Sequence, residues 1–238
     1  MADSKQLQDR IALITGASRG IGRAVALAFA KEGAHTILLA RTRGALEALD
    51  DEIQSLGGTC TLLPINLAKS DKIEGIGPTI LDRWGKLDIL VANAGILGPL
   101  SPLGHISEKD WRAVLEINLT ANWRLIRILD PLLRLSDAGR AIFVTSGASR
   151  SCRAYWGPYS VTKAALEALV KTYAKEVETT NVKANMLSPG AVATGMRAQA
   201  YPGEDPERLT QPEALTDLFI VMAAAEFDQN GKVIDFVR

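Results

Sequence analysis

Cysteine and histidine are nearly missing from this 238-residue chain, with two of each. Cys60 and Cys152 are too few for a disulfide framework or a thiolate metal cluster. His35 and His105 leave a histidine-based metal site short of ligands, so no metal is expected. An excess of one charge is missing too. Basic and acidic side chains balance at 27 each, so no net field draws the chain to nucleic acid or an anionic membrane. No apolar run approaches the roughly twenty residues of a membrane span, and the polar start 1–10 lacks a signal-peptide core. These absences predict a cytoplasmic protein with reduced thiols. Repeats, low-complexity stretches and linkers are absent as well, which predicts one domain over 1–238.

What is present is alternation. Short apolar runs, expected as strands, are Ile11–Thr15, Thr36–Ala40, Thr59–Pro64, Ile89–Asn93, Arg140–Ser146, Lys183–Leu187 and Lys232–Val237. Most are continuously apolar, as in strands covered on both faces. Helix-period segments lie between them, at Ile21–Lys31, Gly44–Ser55, Ser70–Trp84, Ser107–Leu135, Pro158–Glu178 and Gln211–Ala225. Ser107, with Glu108 and Asp110 just inside, reads as a capped helix start, and Pro131 predicts a kink or early stop. The expected fold is α/β, a Rossmann-like doubly wound domain with a seven-stranded parallel sheet and helices on both faces. The Pro- and Gly-rich stretch 195–212 reads as a substrate loop.

The first strand runs into Gly16-Ala-Ser-Arg-Gly20-Ile-Gly22 and then an alanine-rich helix. Glycines there let backbone amides approach a pyrophosphate, and the helix N-terminus supplies unpaired N–H groups. The second strand ends in Arg41-Thr-Arg43, with no carboxylate before Glu47, and Arg19 lies in the loop itself. An acidic residue at this place accepts from a free ribose 2′-hydroxyl, whereas arginine suits a 2′-phosphate.

Further along, Tyr159 and Lys163 stand four residues apart, thirteen and seventeen beyond Ser146. On a helix they share a face. A lysine ammonium beside a phenol favours the phenolate and lowers a pKa of about 10, which fits the tyrosine to exchange a proton with an alcohol oxygen.

Taken in order, these motifs resemble the short-chain dehydrogenase/reductase family over almost the whole chain. The matching residues are the Thr15–Gly22 loop, Asn93-Ala94-Gly95, Asn118, Ser146, Tyr159 with Lys163, and Pro189-Gly190 with Thr194. The resemblance implies an oxidoreductase that interconverts a carbonyl and a secondary alcohol. Tyr159 would be general acid or base, and Ser146 would hydrogen-bond the substrate oxygen. Lys163 would contact the nicotinamide ribose and depress the tyrosine pKa, and Asn118 would hold a water. The implied cofactor is NADP(H), with NAD(H) also open. Its implied contacts are Gly16, Ser18, Arg19, Gly20, Ile21, Gly22, Arg41, Asn66, Leu67, Asn93, Ala94, Gly95, Tyr159, Lys163, Pro189, Gly190, Val192 and Thr194. Three positions depart from the family pattern: Asn66 for the usual aspartate, Ala92 before Asn93, and the glycine-poor ending 235–238. A nucleotide-sensing protein without turnover, and an isomerase or lyase on the same fold, stay open as alternatives.

The resemblance also implies a substrate pocket lined from 96–99, 148–156 and 196–202. There Arg150, Arg153 and Arg197 suit a substrate anion or a surface role, and Tyr155, Trp156 and Tyr201 suit an apolar wall or a subunit interface. Apolar residues beyond the needs of one sheet face recur on two helices, as Leu115, Leu119, Trp123, Ile126 and Leu133, and as Leu166, Leu169, Val170 and Tyr173. They predict a homodimer, or a homotetramer through a second interface.

Overall fold

The computed structural model describes residues 5–237. Of the features expected near the termini, residues 1–4 and Arg238 lie outside the described residues. Seven strands, β1 (Ile11–Thr15), β2 (His35–Ala40), β3 (Thr59–Pro64), β4 (Ile89–Ala92), β5 (Arg140–Val144), β6 (Lys183–Ser188) and β7 (Val233–Asp235), form one sheet. Its order is β3-β2-β1-β4-β5-β6-β7, and every pairing is parallel. The order reverses between β1 and β4, so the strand ends there open a crevice of the kind in which ligands bind in open α/β sheets.

Helices cover both faces, which is why the central strands are buried at every position and apolar at most of them. On one face α1 (Gly20–Lys31), α2 (Arg43–Ser55) and α10 (Thr216–Ala223) bury Phe29, Leu49 and Phe219 against Ile14, Leu38 and Val91. On the other α3 (Ser70–Glu74), α4 (Ile76–Trp84), α6 (Ala121–Leu133) and α8 (Gly157–Glu176) bury Ile80, Leu129 and Val170 against Leu13, Leu90 and Phe143. The remaining helices are α5 (Glu108–Leu115), α7 (Ala148–Ser151) and α9 (Gly195–Ala200). None among the described residues is long and apolar enough to cross a membrane.

Several boundaries correct the sequence expectation. β4 stops at Ala92 and β5 at Val144, so Asn93 and Ser146 sit past the strand ends. β7 is shorter than 232–237, and a short helix, α7, follows Ser146. The helix expected over Ser70–Trp84 is two, parted at Gly75. Past that break, a Cβ on Gly77 would come within 2.9 Å of the Ile128 carbonyl oxygen, so the approach of α4 to α6 requires glycine. Pro131 lies inside α6, which ends two residues later at Leu133, short of the expected Leu135. A further irregularity is a π-helical turn, Glu116–Thr120, which carries the buried Asn118. The stretch 195–212 holds α9 and a 3-10 turn, Pro206–Arg208, rather than plain loop. The helix expected over Gln211–Ala225 opens as a 3-10 turn, Pro212–Leu215, before α10. Ser107 caps α5 as expected, accepting from the Asp110 N–H at 3.1 Å.

At the N-terminal ends of the strands, buried charges are held by a dense network. Asp88 accepts from the Ile11 N–H at 2.9 Å and the Ser136 hydroxyl at 2.5 Å, and pairs with Lys86 at 2.9 Å. Arg10 donates to the carbonyls of Ala223 and Ala138, and buried Arg140 donates to those of Ala224, Gly139, Asn181 and Ala225. Burial lowers the pKa of both arginines, that of Arg140 to about 10.

Candidate active site

The opposite, C-terminal ends of the strands gather the residues singled out in the sequence. Gly16 and Gly20 adopt positive φ, at 67° and 55°, which turns the chain sharply from β1 into α1. A Cβ on Gly22 would collide with the Gly16 carbonyl and the Asn93 amide, so the turn needs that glycine as well. The Asn93 side chain donates to the Thr15 carbonyl at 3.0 Å, and the Thr15 hydroxyl accepts from the Asn93 and Ala94 N–H groups, each at 3.0 Å. Those bonds tie the glycine loop to the end of β4. Across the crevice, Gly20 faces the Thr194 methyl, and the Thr194 hydroxyl accepts from the Arg197 N–H at 3.2 Å to cap α9. By contrast α1 starts at Gly20 with no side-chain cap from Arg19, and among the described residues no side chain accepts from its first-turn N–H groups.

Arg41 and Arg19 are exposed, and neither has an ion-pair partner among the described residues. Their neighbours differ. Arg43 pairs with Glu47 at 2.8 Å, and Arg23 is paired with Glu52. Of the arginines near this corner, Arg19 and Arg41 are therefore the uncommitted ones. Asn66 uses its amide oxygen to accept from the Ala68 N–H at 3.1 Å. Leu67 and Val192 are buried, so they offer a ligand backbone and shape rather than exposed side chains. Pro189 and Gly190 line a cavity of about 220 Å³ with Thr210 and Phe236.

Tyr159 and Lys163 share the inner face of α8, both nearly buried. Lys163 Nζ lies 5.6 Å from the Tyr159 ring centroid and donates to the Val144 carbonyl at 2.7 Å. The Ser146 hydroxyl stands near the phenol and favours its ionised form. Asn118 brackets the group from the π-helical turn. Its Oδ1 accepts from the Ile96 N–H at 2.9 Å, and its amide hydrogens reach the Ile96 carbonyl at 2.9 Å and the Thr162 hydroxyl at 3.1 Å. Both amide hydrogens are thus spent, and one lone pair of Oδ1 remains.

The electrostatics overturn one expectation. Burial raises the Tyr159 pKa above its ordinary value, and the Ser146 hydroxyl offsets this only in part. Burial also lowers Lys163 to about 8. With its ammonium directed at the Val144 carbonyl, Lys163 does not outweigh desolvation of the phenol. A neutral phenol beside a readily deprotonated amine is the resting arrangement.

A short chain dehydrogenase family model matches residues 10–205. The chain belongs to the short-chain dehydrogenase family. The uncharacterized oxidoreductase YciK of Escherichia coli K12 is 35% identical over 217 residues, covering 90% of this chain and 86% of that protein. A short chain dehydrogenase structure from Pseudomonas syringae matches with a TM-score of 0.94 at 37% identity, covering 99% of this chain and 97% of that one. Another from Shigella flexneri, complexed with NADP, has a TM-score of 0.94 at 33% identity, covering 98% and 99%.

Around the site of this short-chain dehydrogenase, the three rim arginines are not equivalent. Arg150 is paired with Asp235, and Arg197 with Glu204 at 2.5 Å, which leaves neither guanidinium free for a substrate anion. Arg153 instead donates to the Tyr201 hydroxyl at 3.0 Å. One residue escaped the sequence reading. Glu167, buried four residues beyond Lys163, accepts from the Thr145 hydroxyl at 2.9 Å and the Ser149 hydroxyl at 2.6 Å. These hydroxyls flank Ser146 in the chain, so the carboxylate braces the turn that carries it. The recurrence 159, 163, 167 along one helix face was the available signal.

Proposed function

We propose that this enzyme interconverts a carbonyl compound and a secondary alcohol with NADP(H), Tyr159 moving the proton. The observation that carries the reading is the buried Tyr159 phenol, with the Ser146 hydroxyl near it and Lys163 behind its ring. A substrate carbonyl oxygen seated there accepts from both hydroxyls, and Tyr159 gives up its proton as the oxygen gains charge. Lys163 then lies near the phenolate and stabilises it, while Asn118 holds the 93–96 segment against the helix beneath. Bound nicotinamide cofactor supplies or takes the hydride. A phenol that stays protonated at neutral pH favours reduction. Alcohol oxidation needs the phenolate and rises with pH.

The chain's own residues fit such a cofactor. The uncapped start of α1 and the positive φ of Gly16 and Gly20 present amides to a pyrophosphate. Asn93, Ala94 and Gly95 line the crevice beside them, with Ser18 and Ile21 on the loop and Thr194 opposite. The unpaired Arg19 and Arg41 favour a 2′-phosphate, and the NADP-complexed relative from Shigella flexneri supports the same choice. An NADPH-oxidation screen over diverse carbonyl compounds, with Tyr159→Phe as control, tests the reading. Turnover that survives in Tyr159→Phe would sink it.

We also infer a homodimer through α6 and α8. Leu133, Leu166, Val170 and Tyr173 are consumed by the sheet, yet Trp123 and Val161 remain 47% and 43% exposed, with Leu115, Leu119 and Leu169 half-buried beside them. Light scattering giving a mass near 25.6 kDa would reject it.

A further inference from the structure

We propose that Trp156 and Tyr201 form a substrate subsite that selects planar aromatic carbonyl compounds over their saturated counterparts; this rests on the proton-transfer role given to Tyr159. Trp156 precedes α8 directly, three residues before Tyr159, and the two ring centroids are 6.0 Å apart in an edge-to-face arrangement. Tyr201 ends α9 with its ring 5.8 Å from Trp156 at an angle of 41°. A carbonyl carbon whose oxygen meets the Tyr159 hydroxyl therefore carries its substituent beside the indole and the second phenol.

The rings are held from outside. The Arg197 guanidinium lies 3.9 Å from the Tyr201 centroid, and Arg153 holds the Tyr201 hydroxyl. Before Trp156 the backbone is strained, because Cys152 and Tyr155 adopt positive φ, at 44° and 73°, without being glycine. The Ser101 N–H bonds the Tyr155 carbonyl at 3.0 Å and pins that turn. Strain kept at a site rim points to a side chain that must be aimed. Both rings are half-buried, so each keeps open surface.

Charge argues the same way. Arg150 and Arg197 are neutralised by Asp235 and Glu204, so a substrate carboxylate finds no free guanidinium at these two places. A ring substituent gains offset or edge-to-face contacts with two aromatic side chains, which a saturated ring of equal size does not.

The test uses NADPH-loaded protein and two alcohols, 1-phenylethanol and 1-cyclohexylethanol, which cannot react with the reduced cofactor. Their dissociation constants are read by saturation-transfer NMR titration, with NADPH affinity and thermal melting as checks on folding. The expected result is tighter binding of the phenyl alcohol by about fivefold, the scale of one aromatic pair. Trp156→Leu brings the ratio close to one, Trp156→Phe keeps most of it, and Tyr201→Leu, on a surface segment, lowers it part-way. Equal affinities in the unmodified protein, no binding of either alcohol, or a ratio unmoved by both leucine variants would overturn the proposal. The ratio is read without turnover, so absence of Tyr159-dependent hydride transfer defeats the catalytic reading separately.

Discussion

The two ends of the parallel sheet bury charge in opposite ways. At the N-terminal end, Asp88, Arg10 and Arg140 meet partners in several directions, mostly backbone carbonyls and an N–H, with the Ser136 hydroxyl and Lys86 on the carboxylate. At the C-terminal end, Lys163 is nearly buried with one carbonyl as its hydrogen-bond partner, Tyr159 is buried with the Ser146 hydroxyl near it, and Arg19 and Arg41 face solvent without an ion-pair partner among the described residues. A satisfied network rigidifies; an under-satisfied one keeps groups whose protonation still responds to a ligand. The same fold spends its stability at one end and keeps its chemistry at the other.

Asp88→Ala is the strongest way to break the comparison. It leaves the Ser136 hydroxyl and the Ile11 N–H without their acceptor, while the partly exposed Lys86 turns to water, and should cost about 2–4 kcal/mol, the scale of two buried donors left unsatisfied. Urea unfolding measures it, and NADPH affinity of the folded protein should not change. Despite the burial that raises it, the Asp88 pKa is held below its ordinary value by Ser136, the Ile11 N–H and Lys86. Its contribution is therefore complete above the ordinary carboxylate pKa and lost as pH falls through the lower folded value. Asp88→Asn should thus differ from the unmodified protein at neutral pH and converge with it in acid.

Tyr159→Phe is the counterpart at the other end. Carbonyl reduction should fall by about a hundredfold or more, close to 3 kcal/mol of barrier, while the melting temperature stays nearly unchanged. A large loss of stability would mean that the two ends are not distinct.

Lys163→Met sharpens the contrast by removing a charge that burial disfavours. The folded pKa, about 8, lies below the ordinary 10.5, so below pH 8 the folded state carries the whole cost of the buried ammonium. As pH rises from 8 towards 10.5 that cost disappears. The variant should therefore unfold with up to about 3 kcal/mol more stability at pH 7, the gap closing as pH approaches 10.5, even though turnover is lost. Constant ΔΔG across this range would contradict the buried, disfavoured charge.

The smallest effect is at the exposed rim. Arg41→Asp should lower NADPH affinity by about tenfold and leave NADH nearly unaffected, and the unmodified protein's preference should narrow at high salt. Fluorescence titration of both nucleotides checks this; equal affinities in the unmodified protein would reject the 2′-phosphate corner.

Much of this was legible in the residues. Continuous apolar runs located the seven strands to within a few residues, because strands buried on both faces tolerate little else. The glycine loop was legible because positive φ at Gly16 and Gly20 and the close approach at Gly22 admit no other residue cheaply. Less was legible where packing overrode local preference. Pro131 read as a kink or an early stop and α6 ends soon after it, but nothing in the residues announced the π-helical turn around Asn118. The arginines at 150 and 197 suited a substrate anion or a surface role alike until Asp235 and Glu204, distant or differently placed in the chain, turned out to be their partners.

By itself the sequence determined the periodicities, the glycine turn and the common helix face of Tyr159 and Lys163, since all three depend on local geometry alone. Only the tertiary structure decided protonation and pairing. Whether a phenol is held neutral or ionised depends on how much water the surrounding fold removes and on where the nearest cation points. Here desolvation prevails over the ammonium four residues away, because Lys163 is turned towards the Val144 carbonyl.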